Sequence, residues 1–388
     1  MLSFVARLAQ LVLLALPGYN LLIALFGWRH PDPAREGGSA MFRVVVPAHN
    51  EEAVLGRLLE DLAAQDYPSD RYRVVVLADR CTDHTADVAA AHGVEVAERN
   101  EGPDGKGAAL DWFAERHPLE PGEALVVLDA DTRVPAHLLT RFAAELEAGH
   151  QALQAYLDVG NPDDSWLATA SALQYWASAR MVQLARTNLG WTSDLGGTGM
   201  CLAAEALAAS GGFGDSRTED QESTSRLLLA GIRVRWLHDL RVGDEKPVEL
   251  AVALRQRARW AGGRRQVARR WAPQLLRAAR RQRSPAHADL AIRLVQPGRT
   301  FLTLLSALLA LAAWATRSRA LLPWQLWAAS TAVQVLAPLP FLVREQVPTR
   351  YLWRYPMLVV FGVMWVPAHV LGRWARSWYH TPHSGPQR

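Results

Sequence analysis

Asp129 and Asp131 are separated by a single alanine and come directly after the apolar run Leu125 to Leu128. A continuous run of valine and leucine predicts a parallel strand covered on both faces. Ligands of such sheets bind just beyond the carboxyl ends of the strands. Two carboxylates delivered at a strand exit are hard oxygen ligands, suited to a Mg²⁺ or Mn²⁺ ion that also holds a substrate's phosphates. Taken alone, the pattern also describes a solvated turn after a strand, so the other strand ends have to decide.

Two earlier strands end in the same manner. Phe42-Arg-Val-Val-Val-Pro-Ala48 runs into Pro47 to Glu51, and Tyr72-Arg-Val-Val-Val-Leu-Ala-Asp79 runs into Asp79 to Thr85. Asn50-Glu-Glu52 opens a helix whose apolar positions Val54, Leu58, Leu59 and Leu62 recur at helical spacing. A second helix runs from Thr85 to about His92, Val94 to Glu98 forms a third strand, and Gly105 to His117 a third helix. This alternation predicts an α/β domain with a parallel, doubly wound sheet. Right-handed crossovers then place all three polar exits on one sheet edge. They outline a nucleotide pocket with a base-and-ribose side and a metal-diphosphate side. The chain carries forty arginines but only two lysines, and one of these, Lys106, lies inside Gly105-Lys-Gly107, where it brings positive charge to that pocket.

The elements around this domain are of another kind. At 388 residues the chain is expected to hold two or three units. Leu8 to Trp28 is 21 residues without a charge, Ala320 to Val343 is 24 and Tyr355 to Gly372 is 18, while Thr300 to Thr316, at 17, is borderline for crossing a bilayer. Tryptophans near these segments (Trp28, Trp314, Trp324, Trp353, Trp374, Trp378) suit headgroup-level anchoring. Pro17, Asn20 and the lack of a small-x-small site favour a retained anchor over a cleaved signal peptide. The Pro/Gly linker Arg29 to Gly38 places the arginines Arg29 and Arg35 close to the membrane, which favours a cytoplasmic placement of the domain on its C-terminal side. Cys81 and Cys201 are the only cysteines, which excludes a disulfide framework and a cysteine-rich zinc site. From Arg255 to Arg283 there are eleven arginines in 29 residues, interleaved with Trp260, Trp271, Leu275 and Leu276. Because this run directly precedes apolar segments, it predicts an amphipathic helix at lipid headgroups, with no nucleic acid as partner. Ser165 to Arg186 reads as one amphipathic helix, and Asp194 to Met200 as a glycine-rich turn entering a strand that helps line an acceptor site.

Val45-Val-Pro-Ala-His-Asn-Glu-Glu52, Ala78-Asp-Arg-Cys-Thr-Asp83, Gly105-Lys-Gly107 and Asp129-Ala-Asp131, in this order, resemble the family 2 glycosyltransferases of the GT-A fold. Thr218-Glu-Asp220 resembles that family's Thr-Glu-Asp motif, and Gln256-Arg-Ala-Arg-Trp260 the Gln-x-x-Arg-Trp motif of its membrane-embedded polysaccharide synthases, so the resemblance covers about Met41 to Trp260. It implies a nucleotide-diphospho-sugar transferase domain at 41–245, flanked by a membrane anchor at 1–30, interface helices at 246–298, membrane helices at 299–372 and a tail at 373–388.

The resemblance further implies that Pro47, Asn50, Glu51 and Asp79 meet the nucleoside of a UDP-sugar. Lys106 falls near the nucleotide, Asp129 near the ribose, donor sugar or metal, and Asp131 on a Mg²⁺ or Mn²⁺ ion. Asp220 becomes the general base with Glu219 beside it, while Gln256, Arg259 and Trp260 close over diphosphate and acceptor. His49 stands where a tyrosine is common, and Ala78 replaces the first member of a frequent Asp-Asp pair. The chemistry agrees with these roles: sugar transfer needs the diphosphate leaving group neutralised and the acceptor hydroxyl deprotonated. One base and no enzyme nucleophile imply inversion at the anomeric carbon. The expected protein is a multi-pass cell-membrane enzyme working on the cytoplasmic face, extending a polysaccharide or, alternatively, glycosylating a lipid.

Overall fold

The computed structural model describes residues 2–29, 37–364 and 366–368. Seven strands form one mixed sheet: β1 Met41–Ala48, β2 Tyr72–Asp79, β3 Glu95–Arg99, β4 Glu123–Val127, β5 Ala152–Val159, β6 Met200–Ala203 and β7 Val234–Asp244. Their order is β3-β2-β1-β4-β6-β5-β7. The unbroken apolar runs have the expected cause, since Val44, Val45 and Val46 at the sheet centre are all 0% exposed. One face carries α2 Leu55–Ala63, α3 Thr85–Ala91 and, further along, α5 Leu138–Glu147, whose Leu58, Leu59, Leu139 and Phe142 pack on β1 and β4. Between them in sequence, α4 Lys106–Arg116 covers the opposite face through Leu110 and Phe113.

Two features depart from the expected pattern. The first helix begins at Leu55 rather than Asn50, because Asn50 takes a left-handed φ of 59° and its side-chain oxygen accepts the Thr82 N–H at 2.7 Å. The sheet is also not wholly parallel: β6 runs antiparallel to both β4 and β5. The start of β6 therefore lies on the same edge as the ends of β1, β2 and β4, and brings the glycine-rich turn before it to Asp129.

Around this domain lie α1 Leu2–Leu25, α6 Trp166–Ser178, a π-turn at Ala179–Leu184 that continues into α7 Ala185–Asn188, α8 Ala204–Ser210 and α9 Glu219–Leu229. A long helix α10, Leu250–Gln282, leads to α11 Pro285–Val295, α12 Arg299–Thr316, α13 Trp324–Leu336, α14 Pro338–Arg344, α15 Thr349–Leu352 and α16 Met357–Val363. The α6 helix is less amphipathic than its sequence suggests. Leu167 to Leu173 are all buried, because α6 is packed between β5 and the C-terminal helices α14 and α16. Among the described residues, three helices are long and apolar enough to cross a membrane: Ala6–Trp28, Arg299–Thr316 and Trp324–Arg344. The expected fourth span, Tyr355 to Gly372, runs beyond the described residues, as do most of the linker after Arg29 and the tail from 373.

The arginine-rich helix divides its charges. Arg257 is buried with its guanidinium 3.7 Å from the Phe361 ring centroid, Arg264 donates to the Gln296 carbonyl at 3.0 Å, and Arg270 pairs with Asp215 at 2.7 Å. Arg269, Arg277, Arg280, Arg281 and Arg283 remain exposed towards its end. Packing against the protein thus accounts for several arginines that the sequence alone assigns to headgroups.

Buried charge also fastens the apolar helices to the sheet. Glu345, whose side chain is 2% exposed, accepts from Arg180 Nε at 2.7 Å, His238 Nε2 at 3.0 Å and Arg241 Nη2 at 2.8 Å. Asp289 similarly receives Arg186 at 2.8 and 2.9 Å, Arg293 at 2.9 Å and the Tyr19 hydroxyl at 2.6 Å, so it ties α1, α7 and α11 together. A charge out of water is tolerated only when paired, and removing one partner typically costs about 3–5 kcal/mol. Glu345→Ala strands three donors at once and is expected to destabilise the detergent-solubilised protein by about that amount, read as a lower apparent Tm. A Tm within a degree of wild type would show that the cluster contributes nothing net.

Candidate active site

A cleft of about 210 Å³ opens at the sheet edge where β1, β2 and β4 end and β6 begins. Pro47, His49, Glu51 and Asp79 line one end. Register explains how Asp79 is held: it pairs across the ladder with Arg99, whose guanidinium, 1% exposed, meets the carboxylate at 2.6 Å. The Glu51 amide N–H donates to Thr85 Oγ1 at 2.8 Å, and His49 Nδ1 donates to the Asp79 carbonyl at 2.6 Å. These bonds lock the β1 and β2 exits to one another. Asn50 belongs to that lock: it grips Thr82 and is not part of the cleft wall.

At the centre stand Asp129, Asp131 and Lys106. The Asp129 amide donates to Thr198 Oγ1 at 3.0 Å, and Thr198 in turn bonds Thr132 at 2.8 Å. Gln154 fixes the loop from behind, donating to the Thr198 carbonyl at 2.9 Å and accepting the Gly196 amide at 2.8 Å. Lys106 Nζ donates both to Asp129 Oδ1 and, at 2.8 Å, to the Gly197 carbonyl. The flanking glycines are steric requirements. Gly105 enters α4 at φ +115°, and a Cβ on Gly107 would lie 2.5 Å from the Gly214 carbonyl oxygen and 2.9 Å from Glu219 Cβ. That close approach puts the start of α4 against the turn that carries Glu219 and Asp220.

Glu219 and Asp220 occupy the first turn of α9. The Asp220 carboxyl is pushed up to about 7 by burial, then by the charge of Glu219 and of Asp194, against the opposing pull of the Gln221 amide and Lys106. Burial acts to lower the Lys106 ammonium, but Asp129, Glu219 and Asp220 outweigh it and hold it above its ordinary value. Thr218 makes no side-chain cap at the start of α9; Asp220 Oδ1 accepts the Gln221 amide at 2.8 Å, and Glu222 holds the preceding turn by accepting the Ser216 amide at 3.0 Å. Gln256, Arg259 and Trp260 line the cleft from α10, which approaches closely one turn on: a Cβ at Gly263 would fall 2.6 Å from Thr218 Cγ2. Tyr175, Asp244, Glu245 and Lys246 complete the far end. The sequence reading placed Tyr175 and the turn that holds Thr198 only within a stretch expected to help line an acceptor site, and it missed Asp244, Glu245 and Lys246 along with Arg99 and Gln154. Only Lys246, the second lysine in an arginine-rich chain, carried a signal that could have marked it.

Eight carboxylates line the cleft (Glu51, Asp79, Asp129, Asp131, Glu219, Asp220, Asp244, Glu245) against four cations (Lys106, Arg217, Lys246, Arg259). Such a surface repels a diphosphate unless a divalent cation intervenes. Among the described residues no group of three or more His, Cys, Asp or Glu forms a cage for a metal. The donor set therefore fits an ion of the Mg²⁺ or Mn²⁺ type, which is bound by one or two carboxylates together with substrate phosphates.

The close approach at Gly107 gives a direct check. Gly107→Ala forces a Cβ into the Gly214 carbonyl, and overpacking of this kind costs about 1–3 kcal/mol. Thermal unfolding should show that loss, with the Thr218-Glu-Asp220 turn displaced. An unchanged Tm would mean that α4 and this turn are not in contact.

The family profile described as "Glycosyltransferase like family 2" matches residues 40–263. The chain is 30% identical over 255 residues to beta-monoglucosyldiacylglycerol synthase from Nostoc sp., covering 61% of this chain and 51% of that one. It is 25% identical over 252 residues to the probable glycosyltransferase YdaM of Bacillus subtilis, covering 62% and 59%. The chain thus spans about half the length of the first curated relatives it matches. In fold it is similar to the mannosyltransferase PcManGT from Pyrobaculum calidifontis, solved in complex with GDP-Man and Mn²⁺, with a TM-score of 0.63 at 22% identity over 97% of this chain and 100% of that one. With a profile that spans more than half its length and contains every motif at the cleft, the chain belongs to glycosyltransferase family 2.

Proposed function

We propose that this glycosyltransferase is held in the cell membrane by several spans and moves a sugar from a UDP-sugar to a hydroxyl of a lipid acceptor, on the cytoplasmic face and with inversion. The observation that carries the lipid reading is the relation between cleft and apolar helices. Tyr175 lines the cleft from α6, and the same helix packs through Leu167 and Ala170 on Phe361 of α16. On α10, which carries Trp260 into the cleft, Arg257 also contacts Phe361 of α16, so both cleft aromatics sit on elements that touch the apolar helices. The long apolar helices bury only 11% to 28% of their most apolar stretches inside the protein, which leaves apolar surface for lipid. The name of the Nostoc relative points to a diacylglycerol product and supports the same choice. Extension of a polysaccharide, which the Gln256 to Trp260 motif suggested, is the second reading.

Each residue then has a task. Glu51 and Asp79 receive the nucleoside. Asp131, with Asp129, would hold a Mg²⁺ or Mn²⁺ ion, which supplies charge neutralisation to the departing diphosphate. Arg259 adds a fixed positive charge on the same side. Asp220 accepts the proton of the attacking hydroxyl, and its raised value suits that step because a base works best when its pKa lies near the working pH. Lys106 keeps Asp129, Glu219 and Asp220 compatible within one cleft.

The proposal is tested with purified protein, a UDP-sugar and mixed lipid micelles. Asp220→Asn preserves shape but accepts no proton, and should lower turnover by about 10²- to 10⁴-fold while UDP affinity stays within a few-fold; near wild-type turnover removes Asp220 from the mechanism. The base is active when deprotonated, so kcat/KM should rise with pH through a midpoint near 7. Because Glu219 raises Asp220, Glu219→Gln should move that midpoint to lower pH, and an unmoved midpoint assigns the titration to another group. Asp131→Ala should abolish metal-dependent turnover in a folded protein, and full activity in excess chelator would refute the metal role. Product analysis separates the readings of the acceptor: one glycolipid against a ladder of oligomers.

A further inference from the structure

Both lysines of this arginine-rich chain line the same cleft. Lys106 serves the acid group at the centre, whereas Lys246 stands at the far end, just beyond β7, and takes no part in the transfer proposed above. Its position is firmly built. The Lys246 amide donates to Asn161 Oδ1 at 2.8 Å, and Asn161 Nδ2 returns a bond to the Lys246 carbonyl at 3.0 Å. One step earlier, the Gly160 amide donates to the Asp244 carbonyl at 2.8 Å. Gly243 exchanges two backbone bonds, 2.7 and 2.9 Å, with Arg133, two residues after Asp131. The loop that carries Lys246 is thereby registered against the loop that carries the Asp129/Asp131 pair.

Lys246 is 7% exposed, and its ammonium lies 2.5 Å from Asp244 Oδ2 and 4.0 Å from the Tyr175 ring centroid. The charge of Lys246 is thus shared with one carboxylate and rests on an aromatic face, while Glu245 beside it pairs with Arg57 at 3.4 Å. What remains is directional hydrogen bonding. An ammonium with three N–H donors stands next to a carboxylate acceptor and over an apolar ring. Together they match adjacent hydroxyls on a small carbon skeleton, one accepting from the ammonium and one donating to the carboxylate.

We infer that Asp244, Lys246 and Tyr175 form the acceptor-selecting end of the cleft, taking an uncharged, hydroxyl-bearing headgroup and refusing a lipid phosphate. The inference rests on the lipid reading above and deepens it. Charge decides the selection: eight carboxylates line the cleft against four cations, and the Lys246 ammonium is already shared with Asp244, so an acceptor phosphate meets net repulsion. Lys246 acts here on the acceptor and not on the donor, so its effects should separate from those of Lys106.

The test uses the full-length protein in mixed micelles, with dioleoylglycerol or undecaprenyl phosphate as acceptor. The wild type should glycosylate dioleoylglycerol in preference. Lys246→Met should raise the acceptor KM by about ten- to a hundredfold, the loss expected for a hydrogen bond to a charged group, while the donor KM stays within about twofold. Asp244→Asn frees the ammonium and should raise the ratio of phosphate to diacylglycerol use by about tenfold or more. A wild type that prefers undecaprenyl phosphate overturns the inference, as does an unchanged acceptor KM in Lys246→Met. Should Lys246→Met lose UDP binding, it has misfolded, and Asp244→Asn, which changes charge without volume, decides alone. If the wild type elongates an oligosaccharide instead, the lipid reading falls; the subsite then stands or falls on whether Lys246→Met raises the KM for that oligosaccharide.

Discussion

A half-buried ammonium holds this cleft together. Lys106 reaches Asp129 and the Gly197 carbonyl, and its charge also offsets Glu219 and Asp220. Without it, three carboxylates from two separate elements would face one another across a partly closed cleft, where like charges repel more strongly than in open water. The geometry that admits Lys106 is equally demanding, because α4 must start almost in contact with the α9 turn. Only a residue without a Cβ fits at position 107. Gly105-Lys-Gly107 is thus one device: the glycines bring two elements together and the lysine makes their charges compatible.

The raised value of Asp220 comes from the same balance. Burial and Glu219 push it up, while Lys106 and the Gln221 amide restrain it, leaving a carboxyl that changes charge near neutral pH. A helix N-terminus alone would favour the ionised form. Local structure and tertiary surroundings therefore pull in opposite directions, and the surroundings prevail because water is excluded. Environment thus separates neighbouring carboxylates, as the proposed division into metal-holding acids and a base requires.

The connection to the apolar helices also depends on buried charge. Glu345 and Asp289 each collect donors from elements far apart in sequence, and these clusters fix how the helices meet the sheet. His238 and Arg241 lie on β7, whose end supplies Asp244, Glu245 and Lys246 to the cleft. The contact that secures the C-terminal helices thus lies on the strand that leads into the proposed acceptor end of the cleft. Because such pairs need close geometry to offset desolvation, they specify one arrangement over others that apolar packing alone would tolerate.

Wherever a residue's role depends on its own strand or helix, the sequence determined it. The apolar runs ending in Asp79 and Asp129, the glycine-flanked Lys106 and the uncharged segments near both ends of the chain could all be read directly, because alternation, strand exits and hydropathy are local properties. Asp131, Glu219, Asp220, Gln256, Arg259 and Trp260 were likewise found as motifs, and the structure gathers them around one cleft. Pairing across the sheet was decided only in three dimensions. The reversal of β6 brings Thr198 and the glycine turn to Asp129, the ladder register sets Arg99 opposite Asp79, and the β7 exit delivers Lys246 beside Tyr175. Asn50 shows the converse, a motif residue that folding turns towards Thr82 and away from the cleft wall. The division has one physical reason: periodicity reports which face of an element is buried, but strand order, register and the pairing of buried charges depend on partners scores of residues away, and nothing local records them.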